Sequence, residues 1–341
     1  MRNVKFPTEN TLIVSKENCY YLTGMDNGDS ALFISKDKKI YFTDARYTED
    51  AERKLKSFDI VKTSGKLHDF IISYLGEPTE IGIEDSLPYS VFNNYLEKGF
   101  SLVCISEHLR KARTAKDEKE LSLIRHAQSI TDKVFEKVLP LIKENMTERE
   151  LASILESLIF ASGGDGLAFP SIVAFGENTS KPHAERSDRK LKKSDFITLD
   201  FGASYMGYCS DMTRTVCFGN PGSRQKFIYE SVKKAQENAL ENIRAGIRCK
   251  DAFNLAYSIF QKENLSEYFV HSLGHGLGLD IHETPMLSPK SDDVLMENSV
   301  VSIEPGLYFP GEFGVRIEDI IILHKNGMEN LTKSPKNLII I

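Results

Sequence analysis

The stretch 271–283, HSLGHGLGLDIHE, holds three of the eight histidines of this 341-residue chain. His271, His275 and His282 are interleaved there with Gly274, Gly276 and Gly278. Imidazole nitrogens are common metal ligands, and a glycine-rich backbone can approach whatever those nitrogens touch. The spacing therefore points first to a metal ion.

Two other segments place acids inside apolar runs. In 195–217, DFITLDFGASYMGYCSDMTRTVC, two strands are joined by a turn near 204–207. A hairpin symmetric about Tyr205 and Met206 sets Asp200 opposite Asp211, where cross-strand Cβ atoms are only about 4.5–5.5 Å apart. In 301–319, VSIEPGLYFPGEFGVRIED, a turn centred on Gly311 pairs Glu304 with Glu318. Opposed carboxylates repel, and a shared cation removes the difficulty. Carboxylates with one imidazole suit Mn, Co, Fe or Zn, with His275 the natural nitrogen ligand. Two such ions about 3.5–4 Å apart can share a hydroxide nucleophile and polarise a carbonyl. GHGLG does not have GxGxxG spacing, and no G-x-S-x-G elbow is present, which sets aside a dinucleotide loop and a serine triad.

The elements needed to position these residues are legible in outline. Strands at 31–34 and 39–43 form a hairpin, followed by a helix at 46–56, a strand at 58–62 and a helix at 66–75, which together make a small α/β unit. The charged stretch 106–117, SEHLRKARTAKD, shows no apolar period and is taken as the boundary between domains 1–115 and 116–341. Leu123, Ala127, Ile130, Val134, Val138 and Leu141 then form one helical stripe. Thr147 and Glu150 make a capping box for a helix that stops at Gly163-Gly164. Helices over 224–244 and 250–263, with strands at 172–175, 196–203, 208–218, 300–308 and 315–323, complete an α+β domain.

Composition narrows the function classes. A net charge of -6 leaves no basic excess for phosphates, so no nucleic-acid partner is expected. The start, MRNVKFPTEN, has no apolar leader and no segment reaches the length of a membrane span, so a cytoplasmic protein without membrane association is expected. The five cysteines, scattered without CxxC spacing, read as reduced thiols.

The set LDFGASYMGYCSDMTRT, HSLGHGLGLDIHE, SIEPGLY and VRIED resembles the pita-bread metallopeptidases, in the branch of aminopeptidase P, prolidase and creatinase. Asn18–Gly24, NCYYLTG, and Tyr41–Tyr47, YFTDARY, resemble that branch's creatinase-type N-terminal domain. The resemblance implies a smaller α/β domain followed by a pita-bread catalytic domain. It makes Asp200, Asp211, His275, Glu304 and Glu318 the ligands of two divalent ions, with Asp211 and Glu318 bridging. Mn is the expected metal, with Co or Zn as alternatives.

By the same resemblance His183, in Lys181-Pro182-His183, joins His271 and His282 in the substrate site, and Glu304 accepts a proton from water. Arg316, two residues before Glu318, either holds a carboxylate ligand or meets a substrate carboxylate. The implied reaction is hydrolysis of the bond between an N-terminal residue and proline in a peptide substrate. Aminopeptidase P is favoured, prolidase acting on Xaa-Pro dipeptides is the alternative, and an inactive binding module is the remote one. A homodimer is expected.

Overall fold

A computed structural model describes residues 4–25 and 28–341. The chain divides into two compact units, Met1–Arg113 and Thr114–Ile341. In the first, strands β1 (Thr11–Ile13), β2 (Ala31–Ile34), β3 (Lys39–Thr43), β4 (Asp59–Lys62), β5 (Glu80–Ile83) and β6 (Ser101–Cys104) form one sheet in the order β4-β3-β2-β1-β5-β6. β1, β2 and β3 pair antiparallel, as the expected hairpin requires, while the outer pairings are parallel. Leu12, Phe33, Phe42, Ile71, Ile81 and Tyr95 fill the core.

The charged stretch after β6, which shows no apolar period, forms a helix over Ser106–Thr114. Its buried residues explain why the pattern is hidden. Leu109 is the apolar contribution, and the other buried side chains are polar: Ser106, Thr114 and Arg113, 7% exposed, whose guanidinium donates to Asn18 Oδ1 at 2.9 Å. A hydrogen-bonded arginine can occupy a buried position that an apolar-period reading counts as solvent.

The second unit contains two arrangements of a helix pair against antiparallel strands. Helices Glu118–Val138 and Glu148–Ala161 enclose a core with the sheet of Ile172–Phe175, Phe196–Phe201 and Met212–Cys217. Helices Ser223–Asn242 and Cys249–Lys262 enclose another with Val300–Ile303 and Asp319–His324. Along the first helix the buried face runs through Leu121, Ile124, Ala127, Ile130, Val134 and Val138. Leu123 is only half-buried and Leu141 is 39% exposed, because the chain leaves the helix through a 3-10 turn at Leu139–Leu141.

The expected capping box is present: Thr147 N–H donates to Glu150 Oε2 at 2.7 Å, and Glu150 N–H donates to Thr147 Oγ1 at 3.2 Å. Thr147→Ala is expected to cost about 0.5–2 kcal/mol. It should appear as a lower urea midpoint at unchanged m-value.

The two strand pairs that carry the acids meet edge to edge. Glu318 N–H donates to the Thr213 carbonyl at 3.1 Å, and Arg316 N–H to Thr215 Oγ1 at 3.2 Å. Those bonds bring two segments a hundred residues apart in sequence to one cavity.

Candidate metal centre

The first acidic pair is set by a turn different from the one expected. Met206 and Gly207 both have positive φ, 46° and 80°, and Tyr205 pairs Tyr208 across them. Positive φ at both central residues is the two-residue hairpin geometry that favours glycine at the second place. The turn is therefore centred on 206–207, and Asp200 faces Thr213. Asp211 falls across from Gly202, where a Cβ would lie 1.9 Å from the Ser210 carbonyl oxygen. Asp200 and Asp211 are diagonal neighbours, not direct partners, and a shift of two positions leaves both on one face. The second pair follows the expected register: Ile303 pairs Asp319 and Gly306 pairs Arg316, which sets Glu304 level with Glu318.

His183, Asp200, Asp211, His271, His275, His282, Glu304, Arg316 and Glu318 all line one cavity of about 250 Å³. Asp200, Asp211, His275, Arg316 and Glu318 are buried there, whereas His183 and His282 are exposed at its mouth. Ligand atoms of Asp211, His275 and Glu318 lie within 4.8 Å of one another. His275 is held by the close backbone packing that the glycines permit, since a Cβ on Gly274 would sit 1.9 Å from the Ser302 carbonyl oxygen.

The His275 Nδ1–H donates to the Gly276 carbonyl at 3.1 Å. That bond leaves Nε2 as a bare lone pair, 3.3 Å from Glu304 Oε1 and 3.6 Å from Asp211 Oδ2. Acceptors facing acceptors need a proton or a cation between them. Asp211 Oδ1 and Glu318 Oε1 are likewise buried with no hydrogen-bond donor. Burial pushes the Asp211 carboxyl well up, reinforced by Glu318, Asp200 and Glu304. Burial does the same to Glu318, reinforced by Glu304 and Asp200. The donor set fits divalent cations: it is carboxylate-rich, has one correctly oriented imidazole nitrogen, and carries oxygens that nothing else satisfies.

Neighbouring side chains orient the acids. Arg316 Nη2 donates to Asp200 Oδ2 at 2.5 Å, its Nη1 to Tyr308 Oη at 2.6 Å, and its Nε to Thr213 Oγ1 at 3.0 Å. Of the two roles open to Arg316, the structure shows it on Asp200. Thr213 Oγ1–H donates to Glu318 Oε2 at 2.7 Å. Ser302 accepts from His275 N–H and donates to Glu304 Oε1, both at 3.0 Å. His271 donates Nδ1–H to the Ser272 carbonyl at 2.7 Å and meets Tyr308 Oη through Nε2 at 2.9 Å. Burial lowers the pKa of His271, His275 and His282 and favours neutral imidazoles. Thr213, Ser302 and Tyr308 were not singled out from sequence. Thr213 and Ser302 each stand two residues from a site acid, the spacing that keeps strand residues on one face.

Residues 122–325 match the profile of metallopeptidase family M24, and residues 9–115 match the creatinase/prolidase N-terminal domain. The chain belongs to the M24 metallopeptidases. It is a metallo-exopeptidase of the pita-bread fold with a creatinase-type N-terminal domain, and membership of the family implies use of divalent metal.

The M24 chain is 36% identical over 332 residues to an Xaa-Pro dipeptidase of Pyrococcus horikoshii, covering 96% of this chain and 93% of that one. Among solved structures, an Xaa-Pro dipeptidase from Bacillus anthracis superposes with a TM-score of 0.93 at 36% identity, covering 98% of this chain and 95% of that one. An X-Pro aminopeptidase from Thermotoga maritima superposes with a TM-score of 0.90 at 33% identity, covering 98% and 97%. Among the described residues, no helix is long and apolar enough to cross a membrane.

Proposed function

We propose that this cavity hydrolyses Xaa-Pro dipeptides, with Asp200, Asp211, His275, Glu304 and Glu318 holding two divalent cations. The observation that carries the metal assignment is the set of buried acceptors facing one another, His275 Nε2 against Glu304 and Asp211, beside the unpartnered oxygens of Asp211 and Glu318. Mn is the proposed metal, with Co or Zn as alternatives that the ligand set equally admits. Asp211 and Glu318 would be the carboxylates shared between the two cations, the role the family resemblance implies, and each offers a buried oxygen that has no hydrogen-bond partner.

Divalent cations bound there supply Lewis acidity, which lowers the pKa of a water and polarises a carbonyl. The chain's own groups do the rest. Glu304, its carboxyl raised by burial, accepts the proton of the attacking water. His183 and His282 reach the mouth of the cavity and donate hydrogen bonds to charge developing on the scissile carbonyl. His271 is held by Tyr308 and Ser272 on the wall beside them. Arg316 keeps Asp200 in place through its 2.5 Å bond. Phe169, Ile172, Ile281 and Met286 give the cavity apolar surface for a proline ring.

The preference for a dipeptide over longer peptides departs from the leaning drawn from sequence. It rests on the relatives from Pyrococcus horikoshii and Bacillus anthracis, both named Xaa-Pro dipeptidases. The likeness to the Thermotoga maritima X-Pro aminopeptidase keeps the second reading open to test.

The test strips the protein of metal, resupplies Mn, Co or Zn, and compares release of the N-terminal residue from an Xaa-Pro dipeptide and an Xaa-Pro-Yaa tripeptide. Metal-dependent cleavage confined mainly to the dipeptide is the expected result. Equal or better cleavage of the tripeptide moves the assignment to aminopeptidase P. A homodimer is also proposed, and a monomeric mass by light scattering would overturn it.

A further inference from the structure

Between strands Ile172–Phe175 and Phe196–Phe201 the chain makes a long loop that carries His183 to the cavity. His183 is exposed, and its imidazole makes no hydrogen bond among the described residues, so the backbone that bears it must set its place. That backbone is fastened on both sides of His183 to one carboxylate. Glu148, 0% exposed in the first turn of helix Glu148–Ala161, accepts at Oε1 from Phe175 N–H at 2.8 Å and Asn178 Nδ2 at 3.0 Å. At Oε2 it accepts from Ser187 N–H at 2.9 Å and Ser187 Oγ at 2.5 Å.

All of these partners are neutral donors. A buried carboxylate is costly unless its lone pairs are filled, and here they are filled from two points of one loop that flank His183. The helix N-terminus supplies the compensating positive potential. Other bonds attach the loop as well: Gly314 N–H donates to Thr179 Oγ1 at 2.8 Å, Arg316 Nη1 to the Pro182 carbonyl at 3.3 Å, and the N–H groups of Glu148 and Arg149 to the carbonyls of Arg189 and Ser187 at 3.2 and 3.3 Å, while Arg189 bridges Glu177 and Asp195 within the loop.

From this clamp we infer that Glu148 is a positioning residue for His183, closing the loop so that the imidazole stands at the cavity mouth. The inference rests on the proposed role of His183 in the reaction. Glu148 touches none of the reacting groups. It acts through the loop alone.

Glu148→Gln tests this with little change of volume. Whichever oxygen becomes an amide –NH2 then faces the donors of Phe175 and Asn178 or those of Ser187, so a backbone N–H loses its acceptor. The expected result is a roughly ten- to hundredfold fall in kcat, the scale of a misplaced group, with the dipeptide KM and the bound metal little changed. His183→Ala should give the same split, and Glu148→Gln added to His183→Ala should cost nothing more, since the two act as one unit. Additive losses would overturn the inference, as would an inert His183→Ala beside a slow Glu148→Gln.

Amide hydrogen exchange supplies a readout independent of turnover. Glu148→Gln should raise exchange across 176–190 and leave 196–217 protected; unchanged exchange across the loop would overturn the clamp. If the protein proves to lack peptidase activity, the proposed function falls, while this exchange measurement still decides whether Glu148 holds the loop. Should Glu148→Gln fail to fold, Asn178→Ala and Ser187→Ala each remove one donor without burying an unpaired charge, and a smaller change of the same kind is expected from both.

Discussion

Asp211→Asn is expected to reverse its stability rank against the unsubstituted protein when metal is added. Asp211 is 4% exposed, and its carboxyl is raised first by burial and then by Glu318, Asp200 and Glu304. Without cations, an ionised carboxylate there is opposed by both low dielectric and like charge. Asparagine keeps the shape and removes a charge, so the metal-free variant should be the more stable of the two. With metal present the order inverts. A ligand at 100 times its Kd stabilises a protein by about 2.7 kcal/mol, and the variant should lose that gain.

Loss of a first ligand should exceed the roughly 10–100-fold drop in metal affinity that follows from disturbing a supporting residue, and dipeptide hydrolysis should vanish with it. Thermal denaturation with and without Mn, elemental analysis of bound metal and an activity assay decide the matter together. A variant that binds the same metal and turns over at the same rate would remove Asp211 from the ligand set.

That prediction rests on residues whose chemistry was visible in sequence, although their geometry was only half visible. Asp200 and Asp211 were legible as acids on one strand face because parity survives a register shift of two. Their direct opposition was not legible, because the register depends on where the turn sits, and the signal was Gly207 with its positive φ of 80°. Glu304 and Glu318 were placed correctly because the turn at Gly311, also at positive φ, preserves the symmetric register on both sides. Helix Ser106–Thr114 was missed because Arg113 takes a buried place through a hydrogen bond.

The supporting polar residues were hidden for a different reason. Thr213 and Glu318 are 105 positions apart, and Glu148 reaches Ser187 across 39. Local spacing carries no information about bonds that only the packed fold brings together.

Arg214 shows what such hidden bonds hold, and Arg214→Met is expected to destabilise the metal-free protein by roughly 3–5 kcal/mol, the cost of leaving one member of a buried ion pair alone. The guanidinium is 1% exposed and makes a 2.7 Å bond from Nη2 to Asp319 Oδ1. It also donates to the carbonyls of Thr213 at 3.0 Å, Glu318 at 2.5 Å, Ser334 at 2.8 Å and Pro335 at 3.1 Å. One side chain therefore ties the backbone of both acid-bearing segments together immediately behind Glu318.

Methionine fills part of the volume but supplies none of the donors, so several buried carbonyls and Asp319 lose a partner at once. Lys336, 3.0 Å from Asp319, remains and limits the loss. Burial works to raise the Asp319 carboxyl, yet Arg214 and Lys336 outweigh it and the net shift is downward. A depressed carboxyl contributes stability above its unfolded value, near pH 4, and loses it as pH falls through the lower folded value. The deficit of Arg214→Met should accordingly be largest at neutral pH and shrink on acidification. Urea unfolding of the metal-free protein across that range measures it, and a deficit below about 1 kcal/mol at pH 7, the scale of an exposed pair, would mean that Arg214 does not hold the two segments. Because Glu318 follows its backbone, metal affinity should weaken about 10–100-fold in the same variant, which links the stability of the fold behind the cavity to the occupancy of the centre in front of it.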